Sequence, residues 1–287
     1  MPELPEVETM RRGLFPAIGG TIERVEFPLI PYRPIGMSPA AINWPDLLVG
    51  RKVIEIQRIA KRVLIVLDDE HGQNAGLRLV LQPKMAGIAM IDEPPTQAHT
   101  RLIIHLKDAQ CDRILYWDRR GLGTAHLWTE AQCAQNLGPA VLGPDALTVT
   151  AEEFTQTYRA LHREVKPALL EQRYVAGVGN LYASEILHRC GVHPQRRCNR
   201  IPKKLWMEIH GAMQAILNDA IDHEGSTLRD GTYRNAINGE GGYQNQHKVY
   251  DRAGELCQSC QVGVIERLVQ AQRSTFFCKI CQPRQGA

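Results

Sequence analysis

The chain of 287 residues has no run of 18 consecutive apolar residues, which excludes an ordinary membrane-spanning helix. Its acidic N-terminus lacks the apolar stretch of a signal peptide, so a cytosolic protein is expected. Internal repeats and low-complexity tracts are absent, and with 44% hydrophobic and 23% charged residues the composition is not that of a disordered chain. Net charge is small as well, only +3. A polyanionic partner cannot be read from that total, but the distribution is uneven. Residues 151–287 hold 18 Lys and Arg against 14 Asp and Glu. Arg189, Arg196, Arg197, Arg200, Lys203 and Lys204 fall in a stretch with no acid between Glu185 and Glu208. Such a patch meets phosphates, or is simply a solvated basic face.

What is present falls into blocks. Pro2 to Gly13 reads as a helix. Prolines sit at its start, Glu3, Glu6 and Glu8 lie toward the positive dipole end, Arg11 and Arg12 lie toward the negative end, and Gly13 stands as a terminator. Val7, Met10 and Leu14 mark its apolar face. Residues 20–130 read mostly as short strands, among them Val53–Gln57, Arg62–Leu67, Leu77–Leu81, Leu102–Leu106 and Ile114–Trp117, with a turn over residues 68–72. Their spacing predicts an antiparallel sandwich or barrel. Residues 137–144 read as a linker. From Ala151 the period becomes helical, with Leu205, Ile209, Met213, Ile216, Leu217 and Ala220 on one stripe. The Gly-rich, polar stretch Gly225–Gly242 predicts a flexible loop.

Three places carry chemistry. Cys257-x2-Cys260 and Cys278-x2-Cys281 are 17 residues apart, the spacing of a four-cysteine zinc site. Four thiolates fill the coordination shell, so one structural zinc is expected to hold a hairpin over residues 261–277. Cys111, Cys133, Cys190 and Cys198 show no ligand spacing; a Cys190–Cys198 bridge is left open. At the other end, Met1 precedes a small residue, which favours its removal. Pro2 would then carry a free secondary amine, and a terminal amine titrates near pH ~8. An amine beside Glu3 suits Schiff-base chemistry, although an ordinary acidic helix start accounts for the same residues. Thirdly, Gly177-Val-Gly-Asn180 predicts a tight turn, with Asn180 capping a helix that starts at Leu181 and offers an anion site.

The run Pro2-Glu-Leu-Pro-Glu-Val-Glu8 closely resembles the start of the bacterial formamidopyrimidine-DNA glycosylases. The resemblance implies excision of oxidised purines (8-oxoguanine, formamidopyrimidines) from double-stranded DNA, followed by strand cleavage at the abasic site. It implies Pro2 as nucleophile, Glu3 as the acid at the sugar oxygen, and Glu6 in support. Lys61, in Arg58-Ile-Ala-Lys-Arg62, matches a phosphate-contacting lysine that assists catalysis, and His99 matches a phosphate-contacting histidine. Residues 177–185 look like the helix–two-turn–helix motif, with Asn180 on the backbone beside the lesion. Lys166 matches a DNA-contacting position, and Arg163 does so less well. Arg273, in Arg-Ser-Thr-Phe-Phe277, matches an arginine of the zinc hairpin that aids the second strand cut.

The chain departs from the family where residues fill the gap left by the flipped nucleotide. Met85 is present in Gln82-Pro-Lys-Met-Ala-Gly87, without the usual His-Leu-Gly before it. The usual Pro-Arg-Arg-Phe-Gly stands as Arg119-Arg-Gly-Leu-Gly123, aligning Arg120 with the inserted arginine and Leu122 with the Phe wedge. The expected organisation is α+β and multi-domain. A β-sandwich catalytic domain with a leading helix covers 1–138, and a linker covers 139–150. A helix–two-turn–helix domain covers 151–250 and a zinc finger 251–287. A bacterial, nucleoid-associated cytoplasmic monomer that does not engage membranes is expected. Two other readings stand beside this one. An endonuclease VIII-like enzyme for oxidised pyrimidines usually has Gly where this chain has Leu4. A non-catalytic DNA-binding zinc protein would be expected to have replaced Pro2, Glu3 or Lys61.

Overall fold

The computed structural model describes residues 2–68, 76–228, 231 and 233–284. The chain forms two compact units, Met1–Val141 with Ile221–Gln244, and Leu142–Ala220 with Asn245–Ala287. A division read along the sequence groups 221–244 with the helices, whereas the contacts group it with the sheets. The cause is apolar burial: Tyr233 and Ala236 lie in the same core as Val7, Met10 and Leu14.

In the first unit, α1 (Leu4–Gly13) leads, and Val7, Met10 and Leu14 are fully buried as its periodicity requires. The strands are β1 (Thr21–Glu26), β2 (Gly36–Ser38), β3 (Val53–Ile59), β4 (Arg62–Leu67), β5 (Arg78–Gln82), β6 (Gly87–Met90), β7 (Thr100–Lys107), β8 (Arg113–Asp118) and β9 (Thr124–Trp128). Short helices α2 (Trp44–Leu48) and α3 (Glu130–Leu137) flank them. One sheet has the order β1-β7-β8-β6 and the other β2-β9-β5-β4-β3. Both contribute to a single core, in which Val63, Ile65 and Leu67 of β4 join Leu102, Ile104 and Leu106 of β7 at the two-residue period of a strand. Pairing is antiparallel except at the edge, where β2 runs parallel to β9. The turn expected over residues 68–72 lies, beyond Asp68, outside the described residues.

The second unit carries α4 (Ala151–Arg159), α5 (Val165–Leu169), α6 (Asn180–Arg189), most of α7 (Lys203–Asp222), and the hairpin β10 (Ile265–Gln270) and β11 (Arg273–Cys278). In α6 every residue from Leu181 to His188 is buried, as befits a helix enclosed on all sides. The stripe read on α7 is the buried one: Ile209, Met213 and Leu217 are inaccessible to solvent. Cys190 and Cys198 are both free thiols, so no bridge joins them. Among the described residues no helix is long and apolar enough to cross a membrane.

Candidate functional site

The start of α1 is held by Glu6. Pro2 and Glu3 are buried just ahead of the helix, and Glu3 occupies the N-cap position. The backbone N–H of Glu3 donates to Glu6 Oε2 at 2.8 Å, the backward arm of a capping box. The other oxygen, Glu6 Oε1, accepts from the backbone N–H of Ser226 at 2.9 Å. Gly225 makes this approach possible. Its φ is +79°, and a Cβ there would press on the Glu6 side chain at 3.0 Å. Tyr233 closes the same corner: its hydroxyl donates to the carbonyls of Glu224 (3.0 Å) and Glu6 (3.4 Å). The stretch read as a flexible loop is therefore, in its described residues, packed structure. Ser226, Tyr233, Asn235 and Ala236 are all buried, and Thr227 Oγ1 donates to the Tyr233 carbonyl while accepting from Gly241 N–H. Sequence reasoning missed Ser226 and Tyr233. The available signal was an aromatic residue standing alone in a Gly-rich polar stretch.

Glu8, on the same helix, has a different task. It bridges Arg11, Arg12 and Arg58 at 2.7–3.0 Å. Burial pushes its carboxyl up, and the three guanidiniums outweigh this and hold it below the usual range. Arg58 Nη1 also donates to the Ala60 carbonyl. Ala60 and Lys61 form the two-residue turn between β3 and β4, with Ala60 at φ +53°. Lys61 thus projects from a braced turn and is half-buried. His99 is sandwiched by rings, 4.6 Å from Tyr32 and 5.6 Å from Trp117. Burial, then the charges of Arg101 and Arg119, lower its pKa against the opposing pull of Asp118, so it is neutral at pH 7.

The residues aligned with the void-filling group sit on two turns of this unit. Met85 is exposed between β5 and β6. Arg120 is exposed and Leu122 half-buried between β8 and β9. Asp118, fully buried, holds the second turn through backbone donors: Oδ1 accepts from Arg120 N–H at 3.0 Å and Oδ2 from Gly123 N–H at 2.7 Å.

In the second unit Lys166 is 1% exposed, so it contacts nothing outside directly. Its ammonium donates to Asn180 Oδ1 (2.7 Å), Thr275 Oγ1 (2.8 Å) and the Ser274 carbonyl (3.2 Å). Asn180 Nδ2 donates to that same carbonyl at 2.9 Å. The sequence pattern makes Asn180 the cap of a helix from Leu181. Instead the helix begins at Asn180, Gly179 is the cap residue, and the Asn180 side chain joins the Lys166 knot. Arg273 is exposed at the start of β11, after the turn residues Ala271 and Gln272, both at positive φ. Within the basic stretch, Arg189, Arg197, Arg200 and Lys204 are exposed, while Lys203 is paired with Glu152 at 3.0 Å. Arg163 lies 3.6 Å from Glu171.

Cys257, Cys260, Cys278 and Cys281 bring their sulfurs within 4.8 Å of one another. The Cys257–Cys281 and Cys260–Cys278 separations are 3.7 and 3.8 Å. A tetrahedron with zinc–sulfur bonds of about 2.3 Å has edges of about 3.8 Å, so the donors fit a closed four-thiolate shell. α6 connects this cluster to Asn180. Glu185 accepts backbone N–H bonds from Lys248, Val249 and Tyr250, and His188 Nε2 stands 3.6 Å from Cys257 Sγ.

Comparison with known proteins fits this arrangement. Residues 1–125 match the formamidopyrimidine-DNA glycosylase N-terminal domain, and residues 142–232 match the formamidopyrimidine-DNA glycosylase H2TH domain. The formamidopyrimidine-DNA glycosylase of Bacillus subtilis is 36% identical, covering 99% of this chain and all of that protein. The crystal structure of MutM (Fpg) from Thermus thermophilus superposes with TM-score 0.83 at 32% identity, covering 99% of this chain and 100% of that one. A Lactococcus lactis Fpg variant bound to Fapy-dG-containing DNA superposes with TM-score 0.86 at 29% identity, with the same coverage. The chain belongs to the formamidopyrimidine-DNA glycosylase family.

Proposed function

We propose that the protein excises oxidised purines from duplex DNA and then cuts the strand, with the Pro2 amine as nucleophile. The observation that carries this reading is the build of the amino terminus, where Pro2 and Glu3 stand on a helix start fixed by Glu6. With Met1 removed, the Pro2 nitrogen attacks C1′ of the damaged nucleotide. The base leaves with the electrons of its glycosidic bond. Glu3 protonates the sugar ring oxygen, and the opened ring leaves an iminium on Pro2. The iminium draws electrons and acidifies the C2′ proton. Loss of that proton expels the 3′ phosphate, and a second elimination expels the 5′ phosphate and is aided by Arg273. Water then releases the sugar fragment and restores the amine.

Lys61 and His99 in the first unit and Asn180 in the second hold backbone phosphates. Lys166 acts through Asn180, because it is buried and bonded to it. Met85, Arg120 and Leu122 enter the stack after the nucleotide flips, which offsets part of the few kcal/mol that unstacking costs. The four cysteines hold one zinc, which leaves no coordination position for water and is therefore structural.

Borohydride trapping on 8-oxoguanine duplexes tests this. Wild-type protein should become covalently fixed to the DNA during turnover. Protein that retains Met1 should not, since its proline nitrogen is an amide. Full trapping with a blocked terminus would move the nucleophile to an internal lysine. Glu3→Gln should lose base excision while keeping part of the cleavage at a preformed abasic site. Adding thymine glycol duplexes separates this reading from preference for oxidised pyrimidines, and a protein that binds but never cuts would be non-catalytic.

A further inference from the structure

The two turns that carry Met85 and Arg120/Leu122 are separate in sequence, yet they meet at one buried atom. Tyr116 lies on β8, which pairs with β6 and β7, and it is inaccessible to solvent. Its hydroxyl donates to the carbonyl of Gln82 at 2.9 Å, at the point where β5 ends and the Met85 turn begins. That turn is closed by Gly87 N–H donating to the Pro83 carbonyl at 2.9 Å. Gly87 ends the first turn and Gly123 ends the second. A Cβ on either glycine would collide with the same Tyr116 hydroxyl, and a Cβ on Gly123 would also reach the Gln82 carbonyl at 3.1 Å. Two residues along the strand, Asp118 grips the second turn through Arg120 N–H and Gly123 N–H. Arg101 Nε donates to the Asp118 carbonyl at 2.9 Å and fixes the strand end from β7. Burial raises the Tyr116 phenol well above its ordinary pKa, with the Asp118 charge adding to the effect, so the hydroxyl keeps its proton and remains a donor.

We propose that the Tyr116 hydroxyl and the Asp118 carboxylate are positioning groups that lock the two turns into one rigid device, so that Met85 and Arg120/Leu122 enter the DNA stack together. The proposal rests on the wedge assignment made above. Neither group touches DNA. Tyr116 sets the spacing between the turns, because both glycines close on its oxygen. Asp118 sets the shape of the second turn, because its two oxygens hold both ends of it. A closed hydrogen-bond network of this kind has one low-energy arrangement, and loosening one member frees both turns.

A double-mutant cycle tests the device. Single-turnover excision of 8-oxoguanine and cleavage at a preformed abasic site are measured for wild type, Met85→Ala, Leu122→Ala and the pair. The set is then repeated in a Tyr116→Phe background and in an Asp118→Asn background, with thermal unfolding recorded for each protein. Met85 and Leu122 should be coupled in the wild-type background, the pair departing from the product of the singles by about threefold or more. In Tyr116→Phe that departure should fall within the error of additivity. Tyr116→Phe alone should slow 8-oxoguanine excision about tenfold and abasic cleavage less, since a buried carbonyl loses its donor. A purely structural tyrosine would lower the melting temperature and slow both substrates equally, leaving the coupling intact, and that result overturns the proposal. Should Tyr116→Phe fail to fold, loss of coupling in Asp118→Asn supports the proposal and intact coupling overturns it. If Met85→Ala and Leu122→Ala are themselves without effect on excision, the wedge assignment falls and this proposal with it. If they slow excision but Tyr116→Phe leaves their coupling unchanged, only this proposal falls.

Discussion

Glu6 accepts a hydrogen bond at 2.9 Å from the backbone N–H of Ser226, a residue 220 positions away in the sequence. The same carboxylate holds the backbone N–H of Glu3. One side chain therefore ties the helix start that carries the proposed nucleophile to the segment that contains Ser226. Glu6→Gln offers a single acceptor oxygen where two are used, so one N–H must lose its partner. The expected loss is about 1–3 kcal/mol of stability, read by urea unfolding, with a lower single-turnover rate on lesion DNA. Unchanged stability and rate would mean that the carboxylate clamp is dispensable.

Lys166 is expected to act through geometry. Lys166→Met keeps the length of the side chain but removes the donors to Asn180, Thr275 and Ser274. DNA affinity should fall about tenfold, with little change in the salt dependence, because no phosphate contact is lost directly. A drop in the salt slope by one phosphate contact, measured by titration at several salt concentrations, would instead make Lys166 a direct contact.

The wedge prediction concerns Leu122. Leu122→Ala should slow excision of a lesion base more than cleavage at an abasic site, which is easier to open. Leu122→Phe should be tolerated, since an aromatic ring stacks better than leucine. Equal losses on the two substrates in a parallel gel assay would remove Leu122 from the wedge.

Much of this was legible in the sequence because it depends on local patterns. The β-branched run of β4, the apolar face of α1 and the paired Cys-x2-Cys spacings are each written within a few residues of sequence. The illegible parts depend on distant partners. In Gly225–Gly242 the lone aromatic Tyr233 is the one hint of burial, and it does not name α1 as the partner, since the segment is polar in composition and Glu6, which bonds Ser226, lies at the other end of the chain. Asn180 reads as a helix cap until Lys166 and Ser274 offer it better partners. Tyr116 reads as an ordinary strand residue, and Asp118 lies just past the strand read over Ile114–Trp117; their roles exist only once the Gln82 carbonyl and the Gly123 turn are brought to them.

Acidification should weaken the fold through His247. Burial, and then the charge of Arg252, lower its pKa to about 4. The unfolded chain binds a proton near pH ~6.5 and the folded one only near 4, so stability increases with pH between those values. Full stability is present above about pH 6.5. About 3 kcal/mol should be lost as the pH falls to 4, with no further loss from this group below that. His247→Gln should flatten that part of the curve relative to wild type in urea unfolding at pH 7.5, 5.5 and 4.5. A mutant curve parallel to wild type would clear His247 of the effect.

Metal removal should act at a distance within the second unit. Freshly reduced protein should contain about one zinc per chain by elemental analysis. Cys257→Ser should lower the zinc content and, through His188 and Glu185 on α6, disturb Asn180 and weaken DNA binding. The first unit should remain folded, as near-UV circular dichroism would report. A zinc-free protein with full DNA affinity would exclude the metal site.

The segment Ile221–Gln244, which completes the first unit, has a consequence for biosynthesis. Translation delivers the proposed nucleophile first and its support late. A nascent chain that has reached Val141 holds both sheets but lacks Ser226 and Tyr233, so the helix start stays without its clamp. The second unit is interrupted in turn, and its four clustered cysteines, Cys257, Cys260, Cys278 and Cys281, arrive only after that segment. Premature termination after Ala220 would leave both units incomplete at once. A product ending there lacks both the partners that clamp the proposed nucleophile's helix start and the four-cysteine hairpin.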